Sequence, residues 1–309
     1  MIEPQLSNML RSFSQDDPGD WTSLLEQAEA LDQAGFDRLV LSDHIVFGER
    51  LEEYGRPDIG GRAGGRQPTG PDGHWLEPLS TLAVIAGRTS RIRLGTNILI
   101  AALRRPVVLA KSAATIDVLS GGRLDLGVGV GWQREEYEAA GLSFERRGEL
   151  LDETLRVCRI LWTEPIAAYD SSELHFDRIH MMPKPRQKDG VPIWVSGTVN
   201  RRVARRLAEF GTGWIPWGAA ADDPAQGIRQ MGLLLSQLGK DMKTIQVVGT
   251  LPITMVGGRV DVSTTMAPVG ELLDAGVTDF RMSLRMPTGR SEALDLLSPI
   301  VQGFRAAVG

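Results

Sequence analysis

A single (β/α)8 barrel is the fold class predicted for this chain, and three observations predict it. Short apolar runs of strand type alternate with stretches of helical period from one end of the sequence to the other. Seven such runs follow the first helix, and residues 3–10 supply an eighth. Eight strand–helix units in 309 residues suit a closed parallel barrel better than a doubly wound open sheet. No linker, repeat or low-complexity tract divides the chain, so residues 1–309 read as one domain with insertion loops.

Taken in order, strand 3–10 is the least regular, because Pro4 and Asn8 sit inside it. Residues 20–34 carry Trp21, Leu24, Leu25, Ala28 and Leu31 at helical spacing, and Gly35 stops the helix. The strand 37–41 ends in Ser42-Asp43-His44. Residues 48–75, rich in Gly, Arg and Pro, read as a loop whose length usually signals function or mobility. Helix 78–86, strand 92–98, helix 107–119 and strand 124–128 follow, then a long helix over 149–162. Two strand-like runs, 166–169 and 174–176, suggest a hairpin excursion. Four further units close the pattern: strand 193–195 with helix 201–210, strand 213–215 with helix 226–238, strand 245–251 with helix 269–275, and strand 279–282 with helix 292–306.

Bulk properties exclude several classes of function. Lys+Arg 34 against Asp+Glu 39 leaves a net charge of −5, which disfavours a nucleic-acid partner. The single cysteine, Cys158, excludes a disulfide framework and a cysteine-rich zinc site, and its apolar helical setting suits a buried, inert thiol. The longest apolar run, 98–103, is far short of the roughly 20 residues that a membrane span needs. Residues 1–7 show neither a basic nor an apolar leader region. A cytoplasmic protein acting on a small molecule is the expectation.

In a barrel of this kind chemistry lies at the carboxyl ends of the strands. Those ends carry Asp43, His44, Asn97, Ile98, Gly129, Gly131, Trp132, Ser196, Gly197, Thr198 and Trp217, with Gly218, Ser283 and Arg285. The set is poor in carboxylates and holds one histidine, so neither a metal site nor a paired-carboxylate glycosidase assembles from it. His74, His175 and His180 fall in loop or hairpin regions without metal spacing. Glycines, small hydroxyls and tryptophans suit a planar ring with an anionic tail. His44 suits general acid–base work near neutral pH, while Asp43 either orients a ring or merely caps a loop.

Gly127-Val128-Gly129-Val130-Gly131 lacks the third glycine of a dinucleotide fingerprint, because Trp132 occupies that place. These glycines either admit a ligand close to the backbone or save space inside the barrel. Trp132 is either a stacking wall or a packing residue. Ser196-Gly197-Thr198 opens the helix that carries Arg201, Arg202, Arg205 and Arg206. Cations there oppose the helix dipole unless an anion sits among the free N–H groups; the alternative is a solvated basic face. Ser120-Gly121-Gly122-Arg123 precedes a strand and reads as a turn on the opposite face.

The run from Arg104-Arg105-Pro106 through Ala114-Thr115-Ile116-Asp117 and Leu126 to Trp132, with Glu136, is similar to the bacterial-luciferase-like superfamily of flavin and deazaflavin oxidoreductases. Matches continue through Pro183-Lys184-Pro185, Pro192-Ile193-Trp194 and Gly213-Trp214, so the resemblance covers roughly residues 20–220. Ser42-Asp43-His44 resembles the subgroup that uses coenzyme F420. That resemblance implies that Asp43 contacts the deazaflavin and that His44 sits at its redox face. It also implies a non-prolyl cis peptide at Asn97–Ile98 against the back of the ring, and phosphate contacts from Gly197 and Thr198. The sugar-phosphate dehydrogenases of the subgroup have a catalytic glutamate where Trp132 stands and a tryptophan near Gly48, so their chemistry is not expected here.

Three functions follow as expectations. The first is hydride transfer between coenzyme F420 and a small organic substrate, with His44 moving the accompanying proton. The second is a monooxygenase using reduced FMN, and the third a non-catalytic flavin- or deazaflavin-binding protein. Members of the superfamily often dimerise, which implies a homodimer.

Overall fold

The strand-type runs pair in chain order. In the computed structural model, which describes residues 2–309, eight parallel strands close into a barrel. They are β1 (Gln5–Met9), β2 (Arg38–Leu41), β3 (Arg93–Thr96) and β4 (Leu124–Val128). The second half consists of β5 (Ile193–Gly197), β6 (Gly211–Pro216), β7 (Gln246–Thr250) and β8 (Asp279–Met282). Each strand bonds to its neighbours in sequence, and β1 closes on β8 in a register that runs from Gln5 opposite Asp279 to Asn8 opposite Met282.

Eight principal helices wrap the barrel. They are α1 (Thr22–Ala34), α2 (Pro78–Arg88), α3 (Pro106–Ser120), α4 (Arg147–Thr163), α5 (Arg201–Phe210), α6 (Pro224–Ser236), α7 (Val269–Ala275) and α8 (Arg290–Val308). Local chemistry sets their ends. Gly35 ends α1 in the left-handed conformation, and the Glu77 carboxylate accepts the Ser80 N–H at 2.7 Å before Pro78 opens α2. The expected hairpin excursion is present as Ala167–Asp170 paired with His175–Ile179. No helix among the described residues is long and apolar enough to cross a membrane.

The weakest expected strand, β1, holds because Asn8 turns its amide to use: its Oδ1 accepts the Leu284 N–H at 3.0 Å, tying β1 to the end of β8. Strand β3 ends at Thr96, two residues earlier than expected, and Asn97 and Ile98 leave the ladder.

Barrel interiors of this class are usually filled by branched apolar side chains. Here part of the filling is ionic. Arg38 donates to Asp125 at 3.1 Å and to Asp279, while Arg93 grips Asp125 at 2.6 and 2.7 Å. Arg281 donates to Asp279 and to the Ser7 hydroxyl, each at 3.1 Å. The Asp279 side chain has no exposed surface. Burial pushes its carboxyl upward, but Arg281, Arg38 and the Ser7 hydroxyl outweigh that and hold it below the ordinary carboxylate value. The guanidinium of Arg38 also lies 4.4 Å from the Trp194 ring centre, which spreads its charge over an aromatic face.

Candidate active site

At the end of β2, His44 is placed by a carboxylate far away in sequence. Its Nδ1 lies 3.2 Å from Glu136 Oε2, and Glu136 Oε1 accepts the Ile45 N–H at 2.8 Å. Glu136 stands on the short helix Arg134–Ala139 that follows β4, and its side chain is fully enclosed. A carboxylate held at one oxygen by backbone can only orient the imidazole with the other. The network assigns the Nδ1 proton to the Glu136 side and leaves Nε2 for a reacting partner. Phe47, Trp75 and Trp132 surround the imidazole, with ring centres 4.3, 5.0 and 6.0 Å away.

Asp43 sits differently from what the resemblance implies. Its carboxylate accepts the Ile100 N–H at 2.8 Å and a two-pronged contact from Arg104 at 2.6 and 3.0 Å, with no exposed surface left to meet a ring. Arg104 continues to Glu77 at 2.8 Å. Asp43 therefore acts on segment 97–104, which holds the cis Asn97–Ile98 peptide. The glycines of β4 make room for the same segment. A Cβ on Gly127 would lie 2.0 Å from the Thr96 carbonyl oxygen, and one on Gly129 would lie 2.9 Å from the Ile98 side chain. One on Gly131 would meet Ile100 at 3.2 Å, so of the two readings of this glycine run, space-saving is the one realised. Ile98, thus seated, packs on the small cluster of Trp194, Ile215 and Val248 at the floor of the mouth.

Segment 48–75 runs across this end of the barrel. Gln133 Nε2 donates to the Gly48 carbonyl at 3.3 Å, and Arg50 pairs with Glu135 at 2.8 Å, both beyond β4. Trp217, beyond β6, donates its Nε1–H to the Gly61 carbonyl at 3.1 Å, and Arg62 reaches Asp222 at 2.6 Å. The segment ends in the pair His74–Trp75, which adds to Phe13–Ser14 beyond β1 and stacks Trp75 on Phe13 at 4.3 Å. Tyr54 of the segment stands between Trp132 and Trp217, at 5.5 and 6.3 Å. The result is an aromatic wall of Trp75, Trp132, Tyr54 and Trp217 beside His44.

The start of α5 corrects one expectation. Asn200 Oδ1 accepts the N–H groups of Arg202 and Val203 at 2.9 and 3.0 Å, so those donors are already taken by the helix's own cap. Arg206 turns inward to Asp152 at 2.5 Å and to the Gly148 carbonyl at 3.1 Å. The basic face that remains exposed is Arg201, Arg202 and Arg205, next to exposed Thr198 and half-buried Ser196 and Gly197.

Several buried polar atoms around this mouth have no protein partner: Ser42 Oγ, Trp132 Nε1, Gln133 Oε1 and, beneath them, Trp194 Nε1. Folded interiors leave few such atoms. A flavin or deazaflavin ring, with carbonyls and ring nitrogens along one edge and apolar faces, complements this mixture of orphaned donors, an orphaned acceptor and an aromatic wall. The residues present fit such a group.

Reading strand ends found His44, Asn97, Ile98, Trp132 and Trp217, which the fold brings to one mouth. It missed Glu136, Arg104, Arg281, Tyr54 and Trp75. Glu136 and Arg104 were legible only as part of the resemblance, and Arg281 lies inside a strand rather than at its end.

The chain matches the family model of luciferase-like monooxygenases over residues 6–256. It belongs to that family. Among curated proteins it is 36% identical over 153 residues to an uncharacterised protein of Mycobacterium tuberculosis, covering 49% of this chain and 54% of that one. It is 32% identical over 202 residues to an F420-dependent glucose-6-phosphate dehydrogenase of Segniliparus rotundus, covering 62% of this chain and 52% of the relative. The chain thus spans about half the length of these relatives. A solved long-chain alkane monooxygenase superposes with a TM-score of 0.74 at 13% identity, covering 98% of this chain and 92% of that one, and shares its fold.

Proposed function

We propose that this protein is an oxidoreductase that passes a hydride between coenzyme F420 and a small organic substrate. The observation that carries the reading is the His44–Glu136 pair, set in an aromatic wall beside the Asn97–Ile98 segment. When bound, the deazaflavin supplies a carbon centre that gives or takes hydride. His44 holds or moves the matching proton at Nε2, and Glu136 keeps the imidazole turned for it. Asp43 and Arg104 fix segment 97–104 as the backing for the ring, and the Gly129 and Gly131 backbone accommodates that segment. Trp132, Tyr54 and Trp217 exclude water, while Ser196, Gly197, Thr198 and Arg201 receive the anionic tail. The similarity to an F420-dependent dehydrogenase supports this choice of cofactor.

The family description favours a second reading, a monooxygenase using reduced FMN on the same wall. Titration with F420 and FMN separately, followed by absorbance and fluorescence, separates the two. Saturable binding of F420 is the expected result; binding of FMN alone overturns the first reading and makes oxygen consumption with reduced FMN the next measurement. Saturable binding of a cofactor with no turnover in any oxidation or reduction assay would leave a binding protein.

We also propose that residues 1–309 act as one domain and associate as a homodimer. Val84 on α2, with Val108 and Leu119 on α3, are exposed large apolar side chains on adjacent helices. Leu119→Glu is expected to halve the mass in light scattering at micromolar concentration. An unchanged dimer mass would assign the interface elsewhere.

A further inference from the structure

Positive charge exceeds negative charge inside the barrel. Three guanidiniums, those of Arg38, Arg93 and Arg281, share the two carboxylates of Asp125 and Asp279. The three cations do not share equally. Arg93, at the start of β3, donates to both oxygens of Asp125. Arg38 binds both carboxylates. Arg281, one residue from the end of β8, has only its share of Asp279. Its remaining contacts are neutral: Ser7 Oγ at 3.1 Å and Asn97 Oδ1 at 3.0 Å.

Arg281 is therefore a buried cation short of counter-charge, and such a charge is costly unless an anion comes near. Burial draws its pKa below the ordinary arginine value, with Arg38 adding repulsion and with Asp279, and more weakly Asp125, opposing both. Its position is also telling. It lines a cavity of about 10 Å3 with Thr96 and with Trp194 and Ile215, two members of the cluster on which Ile98 packs. Through Asn97 it touches the segment proposed to back the ring. The Asn97 amide, with Oδ1 turned to Arg281, keeps Nδ2 as a donor.

We propose that Arg281 sets the redox preference of the site: its surplus charge, presented through Asn97, favours the reduced, negatively charged form of a bound flavin or deazaflavin ring over the oxidised form. The proposal rests on the reading that such a ring binds at this mouth. Charge placed near the ring is one of the means by which a protein tunes such a cofactor. A residue with a purely structural role would weaken both redox forms alike, whereas a charge acts on the difference between them.

The test measures dissociation constants of oxidised and reduced F420 and FMN under anaerobic conditions, for the wild type and three variants. Arg281→Met is expected to lower the preference for the reduced form by about tenfold, which for a two-electron couple is about 30 mV of midpoint potential. Arg281→Lys keeps the charge and should keep most of the preference. Asn97→Asp supplies a neutralising carboxylate without removing any buried partner. It should reproduce the loss, and it decides the matter if Arg281→Met does not fold. Equal weakening of both forms in Arg281→Met, or an unchanged ratio in Asn97→Asp, overturns the proposal while leaving the functional reading intact. A wild-type protein that binds neither ring overturns the functional reading and this proposal with it.

Discussion

Replacing His44 with alanine is expected to lower kcat by about 10²–10⁴-fold while the dissociation constant of the cofactor changes little. That range is what a positioned general acid or base ordinarily contributes. The split between the two readouts matters, because His44 is placed to handle a proton rather than to hold a ring. Glu136→Gln should lower kcat by a smaller factor with the same indifference in binding. The Ile45 N–H keeps the amide oxygen, so the amide turns its NH2 to Nδ1, makes that nitrogen an acceptor and moves the imidazole proton to Nε2. Steady-state rates with the cofactor identified by titration check both variants. A His44→Ala enzyme within about threefold of wild type would remove His44 from the chemistry.

Asp279→Asn is expected to cost about 3–5 kcal/mol of stability in denaturant unfolding, the range for breaking a buried ion pair from one side. The reason is the company it keeps: Arg38, Arg281 and the Ser7 hydroxyl all converge on a side chain with no exposed surface. The same carboxylate gives an acid limb with a definite sign. Its folded pKa is depressed below the ordinary 3.8, so its contribution is complete above about that pH. It is lost as pH falls through the lower folded value. Unfolding curves of the wild type should therefore weaken on that limb, and those of Asp279→Asn should be flatter there. A cost below about 1 kcal/mol would mean that the interior arginines repack without their shared partner.

The barrel was legible in the sequence because each unit writes its own pattern. The 149–162 run of helical period, for instance, lies within α4 (Arg147–Thr163). Placement of His44 was legible for the same reason, since a strand end is a local feature. The partners that give it a direction were not. Glu136 lies 92 positions away from His44, and Arg281 184 positions from Asn97, so each pairing exists only after the barrel closes. Strand periodicity also treats Arg38, Asp125, Asp279 and Arg281 as interruptions of apolar runs, although in the barrel they face one another. The glycines of β4 show a different limit. Their alternation leaves open whether they admit a ligand or save space, and only the fold says that segment 96–100 fills the opening. At α5 the basic run allows an anion site or a solvated face, and Asn200 and Asp152 decide which donors and which arginines remain free.

Among the described residues, segment 48–75 contributes nothing to the ladder that holds the eight strands together, and its only strand pairing is the short His74–Trp75 contact with Phe13–Ser14. Yet it supplies Tyr54 and Trp75 to the wall and the Gly61 carbonyl that holds Trp217 in place. The doorway of this protein is thus built as joinery separate from the frame. Its outline is drawn by the stretch between Gly48 and His74, which carries none of the hydrogen bonds that set the register of the eight strands.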